Sequence, residues 1–124
     1  MATVLVVEDD ETNRELVTRF LMREGYRVLH AVNGRQGVDM ALKERPDLIL
    51  MDLSMPEMDG WQAARAIKTH PFGAPIPIIA LTAHSLSQDV RRALEAGCDH
   101  YETKPVLYPR LMRKIASLID GKSS

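Results

Sequence analysis

Five times along this chain, a short apolar run rich in β-branched residues is followed by a stretch with helical periodicity. No other feature constrains the fold as tightly. The runs are "TVLVVE", "YRVLHA", "DLILMD", "IPIIALT" and, more weakly, "DHYETK". They are nearly continuous in Val, Ile and Leu, which is the pattern of strands buried on both faces. The first intervening stretch, "ETNRELVTRFLMREG", is expected to bring Leu16, Phe20 and Met22 near one face and to stop at Gly25. "NGRQGVDMALKER" places Val38, Ala41 and Leu42 at helical spacing and stops before Pro46. "DGWQAARAIKTH" groups Trp61, Ala64 and Ile67. "SLSQDVRRALEAG" carries a Ser cap candidate and a terminal Gly97, and "LYPRLMRKIASLID" aligns Leu111, Ile115 and Leu118.

Five βα units in 124 residues imply one α/β domain, with a parallel sheet covered by helices on both faces. Five strands are too few for the eight-stranded barrel. The remaining architecture is an open doubly wound sheet with five flanking helices. Such sheets bind ligands beyond the carboxyl ends of their strands, so the last residue of each strand is the place to look. The domain is expected to span residues 1–121, with 122–124 as a disordered tail.

Strand one ends in Glu8-Asp9-Asp10, strand three in Asp52, strand four in Thr82, and strand five runs into Lys104-Pro105. In a 2-1-3-4-5 order strands one and three are neighbours, so Glu8, Asp9 and Asp52 would crowd one crevice. Three adjacent carboxylates repel unless a cation compensates. An oxygen-only ligand set without His or Cys favours a hard cation, Mg²⁺ before Zn²⁺. With the ammonium of Lys104 and the hydroxyl of Thr82, the inventory matches what stabilises a transferring phosphoryl group. Carboxylates act as phosphoryl acceptors, and Asp52, central among these groups, is the natural nucleophile.

The same segments carry a family resemblance. "VLVVEDD", "LILMDLSMPEMDG", "IIALTA" and "YETKP", in this order and spacing, resemble the receiver domain of two-component response regulators over about Thr3 to Ile119. The resemblance implies the flavodoxin-like fold with strand order 2-1-3-4-5. It implies Asp52 as phosphoacceptor, with Glu8 and Asp9 as the acidic pair. Asp9 would bind Mg²⁺ directly, Glu8 through water, and Ser54 through its backbone carbonyl; Mn²⁺ would substitute. Thr82 would bond a phosphoryl oxygen after transfer and Lys104 would pair with the phosphate. Lys104-Pro105 would be a cis peptide. Tyr101 resembles the switch aromatic that turns inward when the threonine moves.

The implied donor is a phosphohistidine on a histidine kinase or a phosphotransfer protein. The implied output is a downstream protein partner reached through the face of the fourth helix, fifth strand and fifth helix, with a phosphorylation-dependent dimer as a further implied state. The acidic pair is Glu-Asp where Asp-Asp is more usual. Ser54 and His84 occupy the positions that tune phosphate lifetime in the family. The pattern is similar both to stand-alone receivers and to receivers of hybrid kinases.

Each of these residues also has a plainer reading. Asp52 alone would be a solvated strand end, Thr82 an ordinary strand residue and Lys104 a surface lysine. Asp10 and Glu11 suit the first turn of a helix, and Asp59-Gly60 reads as turn and helix-start chemistry. His30, His70 and His100 lack metal-ligand spacing. Cys98 reads as a small buried filler.

A net charge of −1 gives no general affinity for nucleic acid or anionic membrane. The first residues carry no basic segment before an apolar run, so neither a signal peptide nor a membrane span is expected. One cysteine fits a reducing, cytoplasmic setting. Two other functions compete with the phosphoacceptor switch, which is not an enzyme beyond its own phosphorylation and dephosphorylation. A haloacid-dehalogenase-type Mg²⁺-dependent phosphatase would need an acid two residues after Asp52, where Ser54 stands. A degenerate receiver acting as an unphosphorylated interaction module would not need the complete Asp9, Asp52, Thr82 and Lys104 set.

Overall fold

The computed structural model describes residues 1–53, 60–82, 91 and 94–122. All five expected strands are present: β1 (Thr3–Val7), β2 (Arg27–Ala31), β3 (Leu48–Asp52), β4 (Ile78–Thr82) and β5 (His100–Thr103). They form one parallel sheet in the order β2-β1-β3-β4-β5. Val7 pairs with Met51, Asp52 with Leu81 and Thr82 with Thr103, so the ends of four strands reach one edge together.

Four helices are described, where the sequence predicts five: α1 (Glu11–Arg23), α2 (Gly34–Glu44), α3 (Gly60–Lys68) and α4 (Tyr108–Lys122). The expected helix in "SLSQDVRRALEAG" falls mostly on 83–90 and 92–93, outside the described residues, although Arg91, Leu94 and Glu95 are helical.

Period-two alternation divides the core between the two sheet faces. Val4, Val6, Leu48, Leu50 and Ile79 point to α1 and α4, where Val17, Leu21, Leu111 and Ile115 meet them. Leu5, Val7, Ile49, Met51 and Ile78 point the other way, to Ala41, Ala63, Ala64 and Ile67. Burying each large aliphatic side chain contributes about 1.5–3 kcal/mol.

The helix boundaries follow local chemistry. Asp10 caps α1 by accepting from the Asn13 N–H at 2.9 Å, and Asn33 caps α2 by accepting from Gln36 N–H at 2.8 Å. α1 stops at Gly25, whose φ of 90° few side-chain-bearing residues adopt. Asp47 accepts from Thr3 N–H at 2.7 Å and Asp99 from Ile78 N–H at 2.8 Å, fixing the amino ends of the strands.

One packing expectation fails. In α1 the buried pair is Val17 and Leu21, whereas Leu16 is 40% and Met22 64% exposed. The i, i+4 row at 17 and 21 meets the sheet, and 16 and 22 lie on either side of it. Phe20 is partly buried, stacked on Tyr108 of α4 at 4.3 Å between centroids, which ties α1 to α4. None of the described helices is long and apolar enough to cross a membrane.

Candidate functional site

Asp52 ends β3, and it does not escape into solvent: its exposure is 3%. Burial of a carboxyl group requires polar company. Its neighbours are Glu8, from the end of β1, and Asp9, one residue beyond. One carboxylate oxygen from each of Glu8, Asp9 and Asp52 lies within 4.8 Å of the others. Glu8 is buried and Asp9 exposed, so the cluster opens to solvent on the Asp9 side. Oxygen donors at this spacing suit a hard divalent cation that keeps part of its water shell.

Lys104 approaches from β5. Its Nζ lies 3.2 Å from Asp52 Oδ2 and 3.7 Å from Glu8 Oε1. The Lys104–Pro105 peptide is cis, as expected, and the Lys104 N–H donates to the Thr82 carbonyl at 2.8 Å. Thr82 itself is buried at the end of β4. The edge of the sheet therefore gathers Glu8, Asp9, Asp52, Thr82 and Lys104 from four strands, as the sequence anticipates. Ser54 and His84 lie outside the described residues.

Crowding shows in the electrostatics. The Glu8 carboxyl is pushed up to about 8. Burial is the main cause, followed by its hydrogen bond to Asp52 and the charge of Asp52; Lys104 and the Asp10 N–H pull the other way. Glu8 and Asp52 thus compete for charge in one crevice, and the Lys104 ammonium lies against both.

Gly60 contributes through what it lacks. A Cβ there would run into the Asp52 carbonyl oxygen and lie 2.6 Å from the Leu53 Cα. Gly60 starts α3, as the helix-start reading expects, and packs directly on the Asp52 backbone. A glycine placed at the start of a helix just after the acidic strand end is the only sequence signal for it.

Tyr101 is 38% exposed on β5. Beside it, Glu102 is buried to 1% and gripped by α4: Arg110 donates from Nε and Nη2, the latter at 2.9 Å, and Lys114 Nζ sits 2.6 Å away. Burial alone would raise the Glu102 carboxyl, but the hydrogen bonds and charges of Arg110 and Lys114 outweigh it and hold it below its usual range. Lys114 also donates to the Tyr101 carbonyl at 3.0 Å. The sequence reading missed this clamp. Its signal is legible, since Arg110 and Lys114 are four apart and so share a helix face.

A cavity of about 540 Å³ lies beside the crevice, walled by Val17, Leu81, Val106 and Leu111, with Glu8 and Lys104 also on its wall. Leu16, on its lining, is exposed, and so is Leu107, which falls between the lining residues Val106 and Tyr108 in the chain.

These features define a doubly wound parallel α/β domain with an acidic, cation-suited crevice at its carboxyl edge. The response regulator receiver domain profile matches residues 4–116, and the chain belongs to that family. It is 36% identical over 117 residues to the polar-differentiation response regulator DivK of Brucella anthropi, covering 94% of this chain and 95% of that protein. Among solved structures, the receiver domain of a signal transduction histidine kinase from Syntrophus aciditrophicus superposes with a TM-score of 0.91 at 40% identity, covering 98% of this chain and 92% of that one. The receiver domain of the sensor histidine kinase PA1611 from Pseudomonas aeruginosa, with a magnesium ion coordinated in its active-site cleft, gives 0.90 at 38% identity, covering 96% and 98%.

Proposed function

We propose that this chain is a phosphoacceptor switch of two-component signalling, taking a phosphoryl group from a phosphohistidine onto Asp52. The observation that carries this reading is the buried Asp52 carboxylate, with Glu8 and Asp9 oxygens within 4.8 Å and the Lys104 ammonium at 3.2 Å. Glu8, Asp9 and Asp52 would hold Mg²⁺, together with the Ser54 carbonyl that the family resemblance implies. The cation would neutralise charge on the phosphoryl oxygens.

In the transfer, an Asp52 oxygen attacks phosphorus while the bond from phosphorus to the donor imidazole nitrogen breaks, its electron pair leaving with the nitrogen. Lys104 pairs with a phosphoryl oxygen and Thr82 donates to another. Loss of the group to water returns the Asp52 carboxylate and inorganic phosphate. The donor is a histidine kinase or phosphotransfer protein, and the exposed Leu16 and Leu107 give it an apolar rim to meet.

The phosphoryl charge then biases a two-state element. Lys104 and Thr82 are drawn to it, and Tyr101 turns inward from its exposed position. The repacked face of β5 and α4 is read by a downstream protein or a second copy of the chain. The chain is a signalling protein that turns over only its own acyl phosphate.

Incubation with a radiolabelled phosphohistidine donor and Mg²⁺ tests this. The expected result is stoichiometric transfer, absent in Asp52→Asn. Rapid multiple turnover of phosphoesters would instead favour a phosphatase. Failure to accept label from any phosphohistidine or small phosphodonor would favour an unphosphorylated interaction module.

A further inference from the structure

We propose that Arg14 is a positioning residue for the cation site, holding the acidic loop in the geometry that brings Glu8 and Asp9 to Asp52. The inference rests on the phosphoacceptor reading above. Arg14 lies on the first turns of α1, away from the carboxylates' own contacts. Its Nη1 reaches back across the loop and donates to the Glu8 carbonyl oxygen at 2.9 Å. On the other side of the same residue, the Glu8 N–H donates to the Ala31 carbonyl at 3.0 Å. Both backbone polar groups of Glu8 are therefore fixed, one by β2 and one by Arg14. Asp10 is fixed in turn, since its side chain caps α1 and its N–H donates to Glu8 Oε2 at 3.3 Å. Asp9, exposed between them, is placed by its two anchored neighbours.

Arg14 is itself braced. Thr18 Oγ1 donates to the Arg14 carbonyl at 2.6 Å and lies 2.9 Å from His30 Nε2. The hydroxyl has one proton, already given to Arg14, so it accepts from the His30 Nε2–H of the neutral tautomer that carries its hydrogen there. The chain His30–Thr18–Arg14–Glu8 thus ties the end of β2, the outer side of α1 and the acidic loop together. Groups that orient ligands without touching the cation commonly change metal affinity by 10–100-fold when removed.

The sign of the effect separates positioning from charge. Arg14 is a cation near a site for another cation. If it acted only through its charge, Arg14→Ala would strengthen Mg²⁺ binding. If it positions the loop, Arg14→Ala weakens it. Mg²⁺ affinity is measured by titration calorimetry on wild type, Arg14→Ala, Arg14→Lys, Thr18→Val and Arg19→Ala, beside thermal melts of each metal-free protein.

The expected result is affinity lowered on the order of tenfold in Arg14→Ala, mostly restored in Arg14→Lys, and lowered a few-fold in Thr18→Val, which keeps every charge. Arg19→Ala, five residues further along α1, serves as the charge-loss control and should not weaken binding. If Arg14→Ala does not fold, the Lys and Val variants carry the test. Unchanged or tighter binding in Arg14→Ala, or unchanged binding in Thr18→Val where Ala fails to fold, overturns the proposal. A wild-type protein that binds no Mg²⁺ and accepts no phosphoryl group would instead sink the phosphoacceptor reading.

Discussion

Adding one methyl group at Gly60 asks whether the start of α3 sets the position of Asp52. The backbone of Gly60 does not need a positive φ, so alanine is not excluded by conformation. It is excluded by contact. The new Cβ would overlap the Asp52 carbonyl oxygen and lie 2.6 Å from Leu53 Cα and 2.9 Å from the Asp52 carbonyl carbon. Carbon atoms in ordinary contact sit about 3.5–4.0 Å apart, so α3 and the end of β3 must separate by about 1 Å. Every atom in the way is backbone, and none can rotate aside.

Overpacking a rigid site typically costs 1–3 kcal/mol, and this site belongs at the upper end. That corresponds to a fall in Tm of roughly 10 °C for a domain of this size. A misplacement of about 1 Å at a reacting group lowers rate by about 100-fold. Gly60→Ala should therefore melt earlier and accept phosphoryl groups from a small acyl phosphate between about 10 and 100 times more slowly, read by stopped mass analysis of the product. A variant that phosphorylates at the wild-type rate with an unchanged Tm would refute the claim that this contact places Asp52.

Three other outcomes follow from buried groups. The folded Glu8 carboxyl keeps its proton to about 8 against 4.5 for the free group, so the native state binds more protons between these values and stability falls as pH rises through them. In metal-free urea unfolding across that range, wild type should lose up to a few kcal/mol and Glu8→Gln should show a flatter profile; parallel profiles would contradict the assignment. Glu102 is the opposite case, with its carboxyl held down, so its contribution is present above the usual carboxylate range and disappears in acid. Glu102→Gln should lose about 1–2 kcal/mol at neutral pH, below the value for a fully buried pair because Arg110 is half exposed and screened, and little in acid. The Cys98 thiol, pushed up to about 12 chiefly by burial, should resist thiol-exchange reagents in the native protein and react only on unfolding.

The fold was legible because both its signals are local. Apolar runs such as "LILMD" and "IIALT" state the strand period directly, and polar residues at the strand ends follow from the geometry of parallel sheets. Asp52, Glu8, Asp9, Thr82 and Lys104 could be collected for that reason. The sequence alone could not tell whether Asp52 was solvated, because burial depends on how Lys104 and Glu8 close over it.

The α1 face was misread for a related reason. Leu16, Val17, Phe20, Leu21 and Met22 are all apolar, and only the docking angle of the helix decides which of them meet the sheet. Gly60 was legible only as helix-start chemistry and Arg14 not at all, because their parts at the site are a missing side chain and a hydrogen bond to a carbonyl. The close approach of α3 creates the first and the docking of α1 the second. Glu102 carries no sequence signal of its burial, which depends on two cations of α4 meeting it.

Peptide-level mass analysis after incubation with Mg²⁺ and a small acyl phosphate tests whether Asp52 is the phosphoacceptor. The expected product carries one phosphoryl group, on the peptide containing Asp52, dependent on Mg²⁺ and absent in a folded Asp52→Asn variant. Label on Asp52→Asn at the wild-type level, or no label on wild type with Mg²⁺ bound, would contradict it.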